Sequence, residues 1–136
     1  MSERFHILVA DRNPHVRRFL ARELAAAGFE VRVTDSARRL RQALADPPRP
    51  DLVVLDPDLP DMDDGTLLAE LNGRPTTVPV VLHTFLSDWD GPTRRLTGAA
   101  AFVEKGAGSI EELIQVVTRL LPSPAPPPPS APRRDV

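Results

Sequence analysis

Residues 52–56 read Leu52-Val53-Val54-Leu55-Asp56, an unbroken apolar run that closes on a carboxylate. A short run with no polar side chain to turn toward water reads as a strand buried on both faces, as in parallel sheets covered by helices. Two runs of the same character flank it, Ile7-Leu8-Val9 within residues 5–10 and Val80-Val81-Leu82 within residues 78–84, and another spans residues 100–105. Residues 30–34 differ. There Val31 and Val33 point one way and Arg32 the other, an alternation that predicts an edge strand.

Helical patterns fill the intervals. Asn13 is a good N-cap, Pro14 suits the first helical position, and Val16, Phe19, Leu20 and Leu24 make one apolar stripe that Gly28 stops. A second helix is predicted over about 36–45, with Ala37, Leu40 and Leu44 inward and Arg38, Arg39 and Arg41 outward. A third follows Gly65 with Leu67, Leu68 and Leu71, and Gly91 and Pro92 leave a fourth little more than residues 93–97. The last opens with Ser109 and Glu112 as a capping box and carries Ile110, Leu113, Ile114, Val117 and Leu121 as its stripe. Strand and helix alternating in this way predict a three-layer α/β domain with a parallel sheet and right-handed crossovers.

Composition bounds what such a domain could do. At 136 residues, 41% hydrophobic and with a net charge of −2, the chain suffices for one ordinary core and offers no excess charge for nucleic acid. It has no cysteine, no apolar run long enough for a membrane and no signal-peptide start, which together predict a cytoplasmic location without membrane contact. His6, His15 and His83 are too scattered for a metal cluster and read as surface or core histidines. Beyond Leu121 seven prolines fall within fifteen residues, so the expected division is a domain over 1–121 and an extended, passive Pro-rich tail over 122–136.

Ligands of open parallel sheets bind beyond the carboxyl ends of the strands. Those ends carry Asp11, Asp56, Thr84 and Lys105: two carboxylates, a hydroxyl and an ammonium. Such a rim can receive a phosphoryl group. A carboxylate attacks phosphorus, and a hydroxyl and a cation hold the remaining oxygens. Taken singly, Asp58, Asp61, Asp63 and Asp64 read as turn or cap residues, Thr84 as the end of a strand and Phe102 as core. Lys105 resists so plain a reading, because the other sixteen of the 17 basic residues are all Arg. An ammonium is a compact point charge suited to a confined pocket, whereas a guanidinium is a larger fork.

Over residues 5–121 the sequence resembles the receiver domains of two-component response regulators. The likeness rests on Ile7-Leu8-Val9-Ala10-Asp11, on Leu52-Val53-Val54-Leu55-Asp56 followed by Leu59-Pro60 and Met62-Asp63-Asp64-Gly65, on Pro79-Val80-Val81-Leu82-His83-Thr84, and on Gly98-Ala99, Phe102 and Lys105. The resemblance implies a flavodoxin-like (βα)5 fold with sheet order 2-1-3-4-5. It further implies Asp56 as phosphoacceptor, Thr84, Lys105 and Phe102 as phosphoryl-binding and switch residues, and Mg²⁺ held by Asp11, Asp56 and the backbone carbonyl of Asp58.

The pattern is broken at several points. Where the family has a second acid after the first strand, usually the direct metal ligand, this chain has Arg12. That exchange alters the local charge by two units, worth about a kcal/mol or more beside a divalent ion. Metal binding should therefore be weak, and Arg12 is a candidate to pair with Asp56 in the metal's place. Phe85 stands where a small residue usually leaves the site open, Gly106 replaces the usual proline after Lys105, and one extra residue separates Pro60 from Gly65.

Two readings follow from this pattern. In the first, the chain is a single-domain response regulator, phosphorylated on Asp56 by a histidine kinase or phosphotransfer protein. It has no room for an output domain and would act as a monomer or weak dimer on a downstream protein target. In the second, it is a pseudo-receiver that binds its partner without phosphorylation. A third class, a haloacid-dehalogenase-type phosphatase built on Asp56-Pro57-Asp58, suffers because that family places its aspartate pair after the first strand.

Overall fold

The computed structural model describes residues 4–61, 78–85 and 100–121. Five parallel strands, β1 (His6–Ala10), β2 (Glu30–Thr34), β3 (Leu52–Leu55), β4 (Val80–Thr84) and β5 (Ala101–Glu104), form one sheet in the order β2-β1-β3-β4-β5. Three helices are described with them: α1 (Pro14–Ala26), α2 (Ala37–Ala45) and α3 (Ser109–Leu120). This is the flavodoxin-like order expected, and each strand falls inside its apolar run. The helices expected after Gly65 and over 93–97, the acids Asp63 and Asp64, and the Pro-rich tail lie outside the described residues.

Every side chain of β3 is buried, as its unbroken apolar run requires. Its alternation divides the core between the two faces of the sheet. Leu52 and Val54 join Ile7, Val9, Val81 and Val103 beneath α1 and α3, which add Leu20, Leu24, Leu113 and Val117. Val53 and Leu55 join Leu8, Ala10, Val80 and Leu82 on the other face, where α2 contributes Ala37, Leu40 and Leu44. Burying each such leucine contributes about 1.5–3 kcal/mol, enough for these positions to dictate the packing.

Capping explains where the helices begin. The Asn13 side chain accepts hydrogen bonds from the N–H groups of His15 and Val16 at 2.8 and 3.3 Å. At α2, Ser36 Oγ accepts from Arg39 N–H at 3.1 Å. Asp61, far along the chain, accepts from Ala37 and Arg38 N–H at 2.7 and 3.0 Å. These two bonds satisfy orphan donors and hold the Asp61 carboxyl below the usual carboxylate range. They also pin the segment after β3 to the start of α2.

Two local expectations are corrected. Phe19 is not part of the buried stripe of α1. Leu20 and Leu24 face the sheet, and Phe19, about 100° round the helix from Leu20, is exposed under the Arg22 guanidinium, 5.6 Å from its ring centroid. β2 is the edge strand that its alternation predicts; on it Val31 is half-buried and Val33 exposed, bordered by Pro14, Arg17, Arg18 and Ala21 of α1. Ser109 does not cap α3. The cap position belongs to Gly108, held at φ +82°, where a left-handed backbone favours glycine, and no side-chain cap bond forms. Ser109 is instead the first helical residue and is buried.

Candidate functional site

The parallel ladders carry four residues to one rim of the sheet. Asp56 N–H donates to the Ala10 carbonyl at 2.8 Å, Asp11 N–H to Thr34 at 3.1 Å and Lys105 N–H to Thr84 at 2.8 Å, so the backbone just past each strand stays in register. Alternation then sorts the side chains. Asp11, Asp56 and Lys105 each stand two residues beyond a side chain of the α1/α3 core, namely Val9, Val54 and Val103. Thr84 stands two beyond Leu82 of the α2 core.

The structure brings together Asp11, Asp56 and Lys105. Lys105 Nζ lies 3.1 Å from Asp11 Oδ2 and 3.5 Å from Asp56 Oδ2, and both aspartates are only 1% exposed. Asp56 Oδ1 accepts from Asp58 N–H at 2.9 Å, while Oδ2 faces Lys105 and, at 3.4 Å, Arg12 N–H. Asp11 Oδ1 accepts from Asn13 N–H at 2.9 Å, and Arg17 Nη1 donates to the Asp11 carbonyl at 2.8 Å. Burial raises the Asp11 pKa, opposed by the Asn13 N–H.

Arg12 is drawn over Asp56 and the nearby Asp58. Its Nε is 3.9 Å from Asp56 Oδ2 and its Nη2 is 3.7 Å from Asp58 Oδ2, with the side chain 52% exposed. Phe85 packs its half-exposed ring 5.5 Å from Lys105 Nζ, a cation–π contact at the mouth. Thr84 is buried, and its Oγ1 donates a long bond of 3.5 Å to the Phe85 carbonyl. Phe102 is half-buried against the α2-side core, on the strand face opposite Lys105. It neighbours Leu82 in the ladder, on the face from which Thr84 follows two residues beyond Leu82.

Formally this is three carboxylates against two cations. Backbone donors orient Asp56, and an ammonium and a guanidinium stand ready for charge on an incoming anion. The same arrangement is a poor cage for Mg²⁺, which demands oxygen ligands in near-octahedral array. The ammonium already bridges Asp11 and Asp56, and the guanidinium already bridges Asp56 and Asp58. Among the described residues no three His, Asp or Glu side chains converge as a metal-holding group. The residues present do not fit the ion.

One residue of this region was read from the sequence only as a surface or core histidine, and the structure puts it in the core. His83 on β4 is 3% exposed, and neither ring nitrogen has a hydrogen-bond partner among the described residues. Burial first, then the charge of Lys105, push its pKa down to about 4, with Asp56 opposing. The signal was available: a titratable residue inside the apolar run Val80-Val81-Leu82-His83 is buried whichever face it takes.

Comparison with known proteins agrees with this architecture. Residues 7–118 match the response regulator receiver domain family. The chain is 33% identical over 116 residues to the regulatory protein AtoC of Escherichia coli K12, covering 85% of this chain and 25% of AtoC. It is 32% identical over 111 residues to the transcriptional regulatory protein KdpE of Mycobacterium tuberculosis, covering 81% of this chain and 48% of KdpE. The chain thus spans about a quarter to a half of these relatives. Among solved structures, the receiver domain of the TMAO respiratory response regulator TorR superposes with TM-score 0.72 at 29% identity, covering 85% of this chain and 96% of that one. The phosphorylated cyanobacterial phytochrome response regulator RcpA does so with TM-score 0.67 at 26% identity, covering 85% and 90%. On that match and this sheet order, the chain belongs to the response regulator receiver domain family, the signalling domains of two-component systems.

Proposed function

We propose that this receiver takes a phosphoryl group on Asp56 from a histidine kinase or phosphotransfer protein in the cytoplasm and passes the signal on by protein–protein contact. The observation that carries the reading is the Asp56 carboxylate, buried at the end of β3 with Oδ1 held by Asp58 N–H and Oδ2 turned to Lys105 Nζ at 3.5 Å. An Asp56 oxygen attacks the phosphorus of a phosphohistidine. The P–N bond breaks, its electron pair returns to the imidazole nitrogen, which takes up a proton, and an acyl phosphate remains on Asp56. Lys105 neutralises charge on the transferred group, and a short movement would bring the Thr84 hydroxyl from the Phe85 carbonyl to a phosphoryl oxygen. That RcpA is seen phosphorylated supports the reading by kinship. Asp56-Pro57-Asp58 follows the third strand of the sheet, whereas the phosphatase pattern has its aspartate pair after the first, which favours the receiver reading.

The test is incubation with acetyl phosphate and Mg²⁺, read by intact mass. One phosphoryl group should appear on the wild type and none on Asp56→Asn. A specific observation favours a second reading, a receiver that binds its partner unphosphorylated: Arg12 already pairs with the acceptor. An unmodified wild-type mass after long incubation would select it.

A further inference from the structure

We propose that the Arg12 guanidinium is the resident cation of this pocket, standing where a divalent ion would bridge the carboxylates, so that the pocket works without taking up Mg²⁺. The two nitrogens that make contact reach different acids, Nε toward Asp56 at 3.9 Å and Nη2 toward Asp58 at 3.7 Å. A divalent ion on Asp56 would have to share its carboxylate with that guanidinium and with Lys105. Arg12 is also anchored to hold it. Its N–H lies 3.4 Å from Asp56 Oδ2, and the next residue is fixed by the Asn13 N–H bond to Asp11 at 2.9 Å.

Charge argues the same way. With Lys105 and Arg12 both in place, the three acids are left with one formal negative charge in excess, and a dication would have to enter between two cations. The arginine also keeps capacity to spare. Both contacts are longer than the roughly 2.7–2.9 Å of a charge-assisted hydrogen bond, so the guanidinium is not locked to either acid. Its Nη1 makes no contact among the described residues, and the half-exposed side chain is open at the mouth. A planar fork in that position suits two oxygens of an incoming phosphoryl group. This last role rests on Asp56 being the acceptor; the occupation of the metal's place does not.

The experiment is a melting curve of the full chain against Mg²⁺ concentration, with EDTA as zero, for the wild type, Arg12→Asp and Arg12→Gln. The wild-type curve should be flat. Arg12→Asp should melt lower in EDTA and rise with Mg²⁺ by on the order of 5 °C, the size that linkage to a newly made site gives a domain this small. Arg12→Gln, which adds no repulsion and guards against misfolding of the aspartate variant, should show a smaller rise. A wild-type response as large as that of Arg12→Asp overturns the proposal, and so does a flat response in all three. In parallel, acetyl phosphate in EDTA should phosphorylate the wild type at about its rate in Mg²⁺. Arg12→Gln should slow roughly tenfold in EDTA and recover with Mg²⁺. Uptake by the wild type only with Mg²⁺ overturns the proposal while Asp56 stands as acceptor. No uptake in any condition, with the expected melting curves, sinks the acceptor reading and leaves the resident cation in place.

Discussion

Lys105 and His83 come from neighbouring strands of one sheet, and both are buried side chains able to carry a positive charge. Their surroundings treat that charge in opposite ways. Lys105 stands over the carboxyl rim with Asp11 at 3.1 Å and Asp56 at 3.5 Å, so its ammonium is compensated where it lies. His83 is the last residue of β4 but one, below the rim and beside Val103 in the ladder, with neither nitrogen partnered among the described residues. It is held neutral, its pKa pushed down to about 4. Burial pushes the imidazole toward its neutral form, whereas the ammonium has two carboxylates within ion-pair distance.

The largest effect that could break this contrast is at Lys105. Lys105→Ala strips Asp11 of its counter-charge and leaves Asp56 only the half-exposed Arg12 at 3.9 Å, a loss on the order of 3 kcal/mol in urea denaturation at neutral pH. The Asp11 pKa is already raised by burial, and removing the ammonium raises it further. A carboxyl with a raised folded pKa loses its penalty as pH falls through that value, so the deficit of the variant should shrink in acid. A deficit independent of pH would mean that lost packing, not charge, is responsible.

His83 should give the next largest effect, with a sign fixed by linkage. Its folded pKa of about 4 lies below the ordinary histidine value of 6.5, so the unfolded chain takes up the proton first. Stability is then full above pH 6.5 and falls progressively toward pH 4, by about 3 kcal/mol for a shift of this size. His83→Leu should abolish that part of the acid loss and add about 1 kcal/mol at pH 7, because two nitrogens with no partner among the described residues leave the core. Denaturant titrations at pH 7 and pH 5 measure both. Equal acid loss in the two proteins would place the sensitivity elsewhere.

Smaller effects sharpen the comparison by moving outward. Arg12→Gln removes a cation that is 52% exposed, and its stability in the absence of divalent ions should change by less than about 1 kcal/mol, whatever it does to phosphoryl transfer. Smaller still is Arg39→Ala on α2, which breaks a surface pair with Asp35 at 3.5 Å and should cost about 0.3 kcal/mol in thermal unfolding. Should Arg39 cost as much as Lys105, burial would not be the variable that ranks these pairs.

Legibility from the sequence followed the same gradient. Residues 52–56 announced a buried parallel strand because an unbroken apolar run admits no exposed face. Asp11, Asp56, Thr84 and Lys105 could be placed on one rim because alternating strand and helix leave all strand ends on the same side. The contact of Arg12 with Asp56 was also anticipated, since a cation directly after Asp11 has few other acids within reach. Phe19 misled because an apolar residue on a helix flank satisfies the stripe pattern without reaching the core. Ser109 misled because serine followed three residues later by glutamate fits a capping box, while a left-handed Gly108 took the cap position.

What the sequence determined by itself is therefore whatever periodicity and strand order encode: the parallel sheet, its two apolar faces and the set of groups at its rim. Only the tertiary structure decided the rest. It assigned Asp61 to the start of α2, twenty-odd residues before it in the chain, left His83 without a partner among the described residues, and set Lys105 between two acids with Arg12 across a third. Hydrogen bonds and ion pairs act over a few ångströms in space, whereas periodicity records only neighbours along the chain. The partners of a buried polar group are thus invisible until the strands are laid side by side.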